Sequence, residues 1–177
     1  MPVVIETPRL TLREYQPGDH AALHTILSDA TTMQFWPAPF SSAQTEAWIA
    51  RQIASYAAHG FGHWAVFSRA SGALIGDAGL MHSEVNGRDE IDLGYIFHHP
   101  HWRQGYALEA ARAALDFART QPAITRVVAN MAHDHHRSRR VAEKLGLRYE
   151  GDYINTRNRN FRTLLYAIDL SASASSG

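Results

Sequence analysis

The chain has 177 residues, 45% of them hydrophobic and 19% charged, which suits one globular domain with a sizeable core and excludes an intrinsically disordered chain. Basic and acidic residues number 17 each, so no basic field marks a nucleic-acid surface and no acidic tail stands out. Cysteine is absent, which rules out disulfides, a thiolate metal site and a covalent thiol nucleophile.

The opening residues, MPVVIETPRLTLRE, lack the apolar core of a secretory leader, and no apolar run approaches the ~18 residues of a membrane span. The expectation is a cytoplasmic protein with no membrane or nucleic-acid partner. Residues 1–170 read as a single domain without repeats or linkers, and 171–177, SASASSG, as a disordered tail.

RLTLRE alternates, with Leu10 and Leu12 on one face, as a strand does. Asp19 stands where an N-cap would, before a helix carrying Leu23, Ile26, Leu27 and Ala30. TMQFWPAPF breaks the pattern. In SSAQTEAWIARQIASYAAHG, Ser41 and Gln44 fit a capping box, Ile49, Ile53, Tyr56 and Ala57 make an apolar stripe, and Gly60 fits a C-terminal cap. HWAVFS and ALIGDAGLMH read as hairpin strands joined at RASG. EIDLGYIFHH is a further strand, ended by Pro100. It sets Ile91, Leu93, Tyr95 and Phe97 on one face and Asp92, Gly94 and Ile96 on the other. A helix from about Tyr106 to Arg119, a strand TRVVANMA, a short helix around SRRVAEKLG closed by Gly146, and strands LRYEGDYI and FRTLLYAIDL complete the order β-α-α-β-β-β-α-β-α-β-β. That order makes an α/β (α+β) fold, a mixed sheet covered by helices.

HPHWRQGYALEA places Gly105 and Ala107 at the mouth of a helix directly after a strand. The first turn of a helix leaves N–H groups unpaired and partly positive, and a small residue lets an anion approach them. The expected phosphate donors are the amides of Arg103, Gln104, Gly105, Tyr106 and Ala107, with the Arg103 side chain adding charge. A loop glycine that simply turns the chain is the other reading of this stretch.

Over almost its whole length the chain resembles the GNAT superfamily of acetyl-CoA-dependent N-acetyltransferases, in its RimJ/RimL-type branch. WRQGYA is similar to the signature Q/R-x-x-G-x-G/A with Trp102 in first place, and HPHWRQGYALEA to the branch's HPxxWGxGYAxEA with Arg103 in place of Gly. TPRLTLRE resembles the branch's opening strand, GFGHWAVFSRASGALIGDAGL its central hairpin and EIDLGY its fourth strand. HHRSRRVAEKLGLRYEG resembles NxxSxRVxEKLGFxxEG, with His135 where Asn is usual. The resemblance implies a GNAT fold, a mixed, mostly antiparallel sheet of about six to seven strands with a splay between the fourth and fifth, flanked by about four helices. It implies acetyl-CoA as cosubstrate, no metal, an amine acceptor and direct transfer; a homodimer would be unsurprising.

The same resemblance assigns roles. The pantetheine arm would lie between the splayed strands, with an amide near Phe97 or His98 donating to the thioester oxygen. Asp92, in the fourth strand, and Glu150, in the EG motif, are the two candidates for the base; either could instead be a solvated or ion-paired strand carboxylate. Glu90 reads as a hairpin charge, and Glu109 as an exposed helix residue or an arginine partner. Ser138 matches the serine that would hydrogen-bond the sulfur and protonate the thiolate, or it caps a helix. Relatives carry an acid tyrosine four residues later, where this chain has Ala142. His135, in the usual Asn place, would contact the pantetheine or reshape the acid step. Phe35, Trp36 and Phe40 would wall the acceptor pocket or pack into the core.

The acceptor's basicity matters. An α-amine has a pKa of ~7.8 and a lysine ~10.4, so a lysine costs about 3.5 kcal/mol more to deprotonate. Two further motifs are set aside. GFGHWA matches a dinucleotide fingerprint formally but ends a helix and opens a strand, the reverse of what that motif needs. His98, His99, His101 and His133, His135, His136 form two loop clusters with no HExxH helix beside them, so no metal is expected. Alternatives are a non-catalytic acyl-CoA-binding module on the same fold, an acetyltransferase for a small-molecule amine such as an amino acid, polyamine or antibiotic, and a metal-binding histidine protein.

Overall fold

The computed structural model describes residues 2–171; the tail expected from 171 lies, past that residue, outside the described part. Eight strands form one sheet: β1 (Val4–Glu6), β2 (Leu10–Arg13), β3 (His63–Ser68), β4 (Leu74–Val85), β5 (Arg88–Phe97), β6 (Arg126–Ala132), β7 (Arg148–Asn155) and β8 (Phe161–Asp169). Four helices cover it: α1 (His20–Leu27), α2 (Ser42–His59), α3 (Tyr106–Arg119) and α4 (His136–Lys144). None is long and apolar enough to cross a membrane. The expected mixed, mostly antiparallel sheet and four helices are found, with one strand more. That strand, the three-residue β1, is too short for alternation to announce it.

The strand order is β1-β2-β3-β4-β5-β6-β8-β7, and the pairs are antiparallel except β5 with β6. β4 and β5 share ten ladder pairs, from Gly76↔Phe97 to Val85↔Arg88, whereas β5 and β6 share one, Asp92↔Val128. The middle of the sheet is therefore open on one side of that rung. The β4–β5 hairpin runs further than the sequence reading had it, turning at Asn86 (φ 49°) and Gly87 (φ 76°), both left-handed as a two-residue type I′ turn requires.

Parity along β5 divides the core. Leu93 and Phe97 pack with Ala110, Ala114 and Ala142 on the α3/α4 face, while Ile96 packs with Leu23, Ile26 and Ile49 on the α1/α2 face. Two local expectations are corrected. Asp19 precedes α1 without capping it by its side chain, because its carboxylate is taken by Arg13 (2.7 and 2.8 Å) and the Gln16 amide (2.8 Å). In α2 the capping box at Ser41 and Gln44 forms, but the buried face is Thr45, Ile49 and Gln52, and Ile53 is 37% exposed. The stripe turns where Gln52 Oε1 accepts the His63 amide (2.8 Å), although Gln52 Nε2 is buried with no partner among the described residues.

Candidate active site

At the α3 mouth the loop carries two left-handed residues, Arg103 (φ 63°) and Gly105 (φ 80°), the second being the N-cap of α3. Glycine is favoured there by conformation; a Cβ would also stand 3.3 Å from Arg9 Nη2, a tight contact with the end of a flexible side chain. Among the described residues, no acceptor takes the amides of Arg103, Gln104, Gly105, Tyr106 or Ala107. Five free donors at a helix N-terminus can receive an anion.

Arg9 and Glu109 brace this loop. Arg9 donates through Nη1 to the Gln104 carbonyl (2.8 Å) and through Nε to Glu109 (2.7 Å), and its guanidinium lies 4.5 Å over the Tyr106 ring. Glu109 also accepts from Thr7 Oγ1 (2.7 Å) and the Arg9 amide (2.9 Å), so of its two readings it is the arginine partner. Arg137, whose guanidinium lies 3.9 Å over the Trp102 ring, lines the same cavity as Arg103, Arg140 and Lys144.

That cavity, about 740 Å³, passes through the splay. It reaches from Gly105, Tyr106 and Ala107 to Asp92 and Ser138, and on to Trp36, Phe40 and Trp48. The last three rings form an edge-to-face cluster with centroids 5.7 to 6.0 Å apart, so the expected aromatic wall also packs against itself. Phe35 stacks on His135 at 3.9 Å, joining the loop after α1 to the start of α4. Burial, and then the charge of Arg137, push the His135 imidazole down to about 4, so it stands neutral in the wall.

Of the predicted site residues, Asp92, Phe97, Arg103, Gly105, Tyr106, Ala107, His135 and Ser138 line this one cavity. Asp92 sits at the single β5–β6 rung and accepts from Asn130 Nδ2 (3.0 Å). Burial raises its carboxyl to about 7, against the smaller opposing effects of His63 and Asn130. On the opposite face of β5, the Tyr95 hydroxyl donates to the Ser138 carbonyl (2.9 Å) and lies 3.1 Å from Ser138 Oγ.

Two predicted residues, Glu150 and His98, are placed elsewhere. Glu150, on β7, is not in the cavity wall; it is clamped by Arg126 Nη1 and Nη2 (2.7 and 2.6 Å), an ion pair that keeps its carboxyl below the usual range. The His98 amide donates to the Ile75 carbonyl (3.0 Å), so it has no hydrogen left for a thioester. Antiparallel alternation then turns the neighbouring Phe97 amide away from β4, toward the β6 side. The Gln104 side chain donates to the Pro100 carbonyl, while its backbone amide stays among the five free donors of the α3 mouth. The two histidine clusters do not join. Asp29, His98 and His99 instead bring ligand atoms within 4.8 Å of one another, the one such group among the described residues. Asp29 Oδ2 there already accepts from Thr32 N, Thr32 Oγ1 and His99 Nδ1.

Sequence reasoning missed His63, Asp77 and Tyr95. Asp77 is fully buried and accepts from Tyr15 Oη (2.7 Å), Trp48 Nε1 (3.0 Å) and His63 Nδ1 (2.5 Å). The available signal was a histidine beside Trp64 and an aspartate between Gly76 and Ala78, each in a mainly apolar stretch of strand.

A strand splayed from its neighbour, with an amide cradle at the next helix, defines a class. The acetyltransferase (GNAT) domain model matches residues 9–148, and this chain belongs to that family and is an acetyltransferase. It is similar to the uncharacterized protein YkkB of Bacillus subtilis, 29% identical over 144 residues, covering 81% of this chain and 84% of that protein. It is also similar to the uncharacterized N-acetyltransferase YnaD of the same organism, 28% identical over 148 residues, covering 83% and 84%. Its fold matches a GNAT-family acetyltransferase from Bacillus anthracis with TM-score 0.80, 24% identity and coverage of 95% and 99%. RimL, a ribosomal L7/L12 alpha-N-protein acetyltransferase solved with coenzyme A, superposes with TM-score 0.78 at 18% identity, covering 94% and 98%.

Proposed function

We propose that this acetyltransferase moves the acetyl group of acetyl-CoA directly onto a primary amine, without a covalent enzyme intermediate. One observation carries the reading: the Asp92↔Val128 rung opens into a cavity with a carboxylate on one face of β5 and the Ser138–Tyr95 pair on the other. Acetyl-CoA supplies an activated thioester. It fits the donor set, since the free amides of residues 103–107 and the charges of Arg103, Arg137, Arg140 and Lys144 suit a diphosphate and a further phosphate. The Phe97 amide, facing the splay, is the donor for the carbonyl oxygen.

Asp92 is the proton acceptor. A carboxyl poised at about 7 is half ionised at neutral pH, close enough to an α-amine of ~7.8 to exchange a proton readily and far short of a lysine at ~10.4. The Ser138 hydroxyl, backed by Tyr95, donates to the leaving sulfur. No cysteine is available to carry the acetyl group.

Asp92 is also the one carboxylate in the cavity wall, so the several charges of a polyamine would go unanswered. Trp36, Phe40 and Trp48 favour an amine borne on an apolar group. A protein N-terminal α-amine, the kind of acceptor named for RimL, satisfies the basicity and the wall together. The test is release of free coenzyme A from acetyl-CoA across a panel of amines. Ala- and Ser-starting peptides are expected to react and spermidine is not. Turnover confined to small amines would sink the N-terminal reading, and coenzyme binding without any turnover would leave a non-catalytic module.

A further inference from the structure

Turning a charged primary amine into an amide removes two protons from nitrogen, one before attack and one as the amide forms, and Asp92 can accept one of them. We propose that His63, oriented by Asp77, is the second proton acceptor of the active site and contacts the acceptor nitrogen. This rests on reading the cavity as an amine acetyltransferase site.

His63 opens β3, and its ring crosses the sheet rather than pointing along it. Its lane is cleared by two glycines in register, Gly79 on β4 and Gly94 on β5. A Cβ on Gly94 would stand 2.5 Å from His63 Cε1 and 2.9 Å from Nε2, so the outer edge of the imidazole lies over that glycine. Asp92 is two residues before Gly94 on the same face, and His63, Gly94 and Asp92 all line the cavity.

Asp77 fixes which nitrogen faces the cavity. A carboxylate only accepts, so the 2.5 Å contact puts a hydrogen on His63 Nδ1, and in the neutral ring that leaves the lone pair on Nε2. No hydrogen-bond partner takes Nε2 among the described residues. The Tyr15 hydroxyl and the Trp48 indole complete the shell around Asp77, and the His63 backbone is pinned too, its amide by Gln52 and its carbonyl by Tyr56 Oη. Burying a carboxylate is expensive, and packing alone would be served better by an apolar residue. A base held by a third, orienting group is the arrangement that activates proton transfer elsewhere. Asp77 from β4 and Trp48 from α2 contact the ring, Gln52 and Tyr56 from α2 hold its backbone, and Tyr15 from the segment after β2 holds Asp77; Asp92 from β5 is the carboxylate that shares the cavity.

In the proposed step the ammonium's first proton goes to the Asp92 carboxylate. The nitrogen lone pair then forms the N–C bond to the thioester carbon. The second proton passes to His63 Nε2 as the C–S bond breaks and sulfur leaves with the electron pair. Sulfur takes one proton to become a thiol, and the other is released to solvent. One ammonium and one thioester thus give one amide, one thiol and one proton.

The test begins with the wild-type chain, by calorimetry with coenzyme A and by thiol release from acetyl-CoA with an Ala-starting peptide and phenethylamine. A chain that neither binds coenzyme A nor releases thiol overturns the acetyltransferase reading itself. Nitrogen NMR shifts of His63 in the wild type come next, and a protonated Nδ1 with a bare Nε2 is expected. The opposite tautomer overturns the proposal with no variant required. Then His63→Gln and Asp77→Asn are assayed; the second would offer Nδ1 an amide donor and present Nε2–H to the cavity. Expected is a kcat lower by about 10²-fold or more in both, the scale of a lost general base, with coenzyme A affinity within about twofold of wild type. Variants that fold, bind coenzyme A and turn over within about threefold of wild type overturn the role of His63 while leaving the acetyltransferase reading intact.

Discussion

Asp92 of β5 faces Val128 of β6 across the one rung those strands share, so a carboxylate marks the point where the sheet divides. Its raised carboxyl gives a two-part expectation. The folded value of about 7 lies above the ~3.9 of an unfolded chain, so the folded state holds the proton more tightly. Stability from this group is present in full below about pH 4 and is lost as pH rises through about 7. Asp92→Asn removes that loss: its Tm should match wild type near pH ~4 and exceed it at ~8, measured by thermal melts across pH. The same variant should lose about 10²-fold or more in kcat, together with the ascending limb of the kcat/KM profile near pH ~7.

Glu150→Gln makes the opposite case. Its carboxylate is 40% exposed and spends both oxygens on Arg126, outside the cavity. Turnover and coenzyme affinity should be unchanged, and stability should fall by no more than about 1 kcal/mol, the range of an exposed ion pair. A large loss of kcat in this variant, read by thiol release, would move the base from β5 to β7.

The contrast between these carboxylates shows where sequence was informative. Strand alternation placed Asp92 and Tyr95 on opposite faces of β5, and the helix-entry glycine marked the loop whose amides stand free, because both depend on residues close in sequence. Glu150 was put forward by a motif, and a motif carries no information about Arg126, 24 residues away. His98 failed for a similar reason: whether its amide is free depends on the Ile75 carbonyl of another strand. The Asp77 shell was illegible because its donors come from the segment after β2, from α2 and from β3, and the tertiary fold alone joins them. Asp19 and Gln52 tell the same story on a smaller scale, each drawn from its local role by a distant partner.

Gly105→Ala tests the cradle. Its φ of 80° lies in the left-handed region, where a Cβ costs roughly 1–2 kcal/mol, and Arg9 Nη2 stands 3.3 Å from that Cβ. The loop should relax away from Arg9 and disperse the five amides. The KM for acetyl-CoA should rise by about tenfold with kcat less affected, in steady-state assays that vary acetyl-CoA at fixed amine.

Tyr95→Phe addresses the thiolate side. Burial first, opposed by its bond to Ser138, raises the Tyr95 phenol to about 12, so it remains a proton donor at every working pH. Its hydroxyl holds Ser138 at both the carbonyl and Oγ, and α4 itself offers Ala142 and no tyrosine. The phenylalanine variant should bind coenzyme A normally and lose kcat by about tenfold or more, and Ser138→Ala by a similar factor. Because the two act as a unit, the double variant should lose little beyond either single one, which a double-mutant cycle on kcat reads directly.

Gly94→Ala separates the position of His63 from its chemistry. The backbone there is ordinary strand, so alanine is conformationally allowed, but its Cβ would lie 2.5 Å from the imidazole. The ring is the part that must yield, and moving a packed side chain costs about 1–3 kcal/mol. Asp77, His63 and Asp92 all remain in place chemically, and the cradle at Gly105 is untouched. Melting should therefore report a modest loss of stability while the KM for acetyl-CoA stays near wild type. If the lone pair over Gly94 receives the acceptor's proton, kcat falls far more than stability does. If kcat holds while the melting temperature drops, the glycine serves only to let the ring pack.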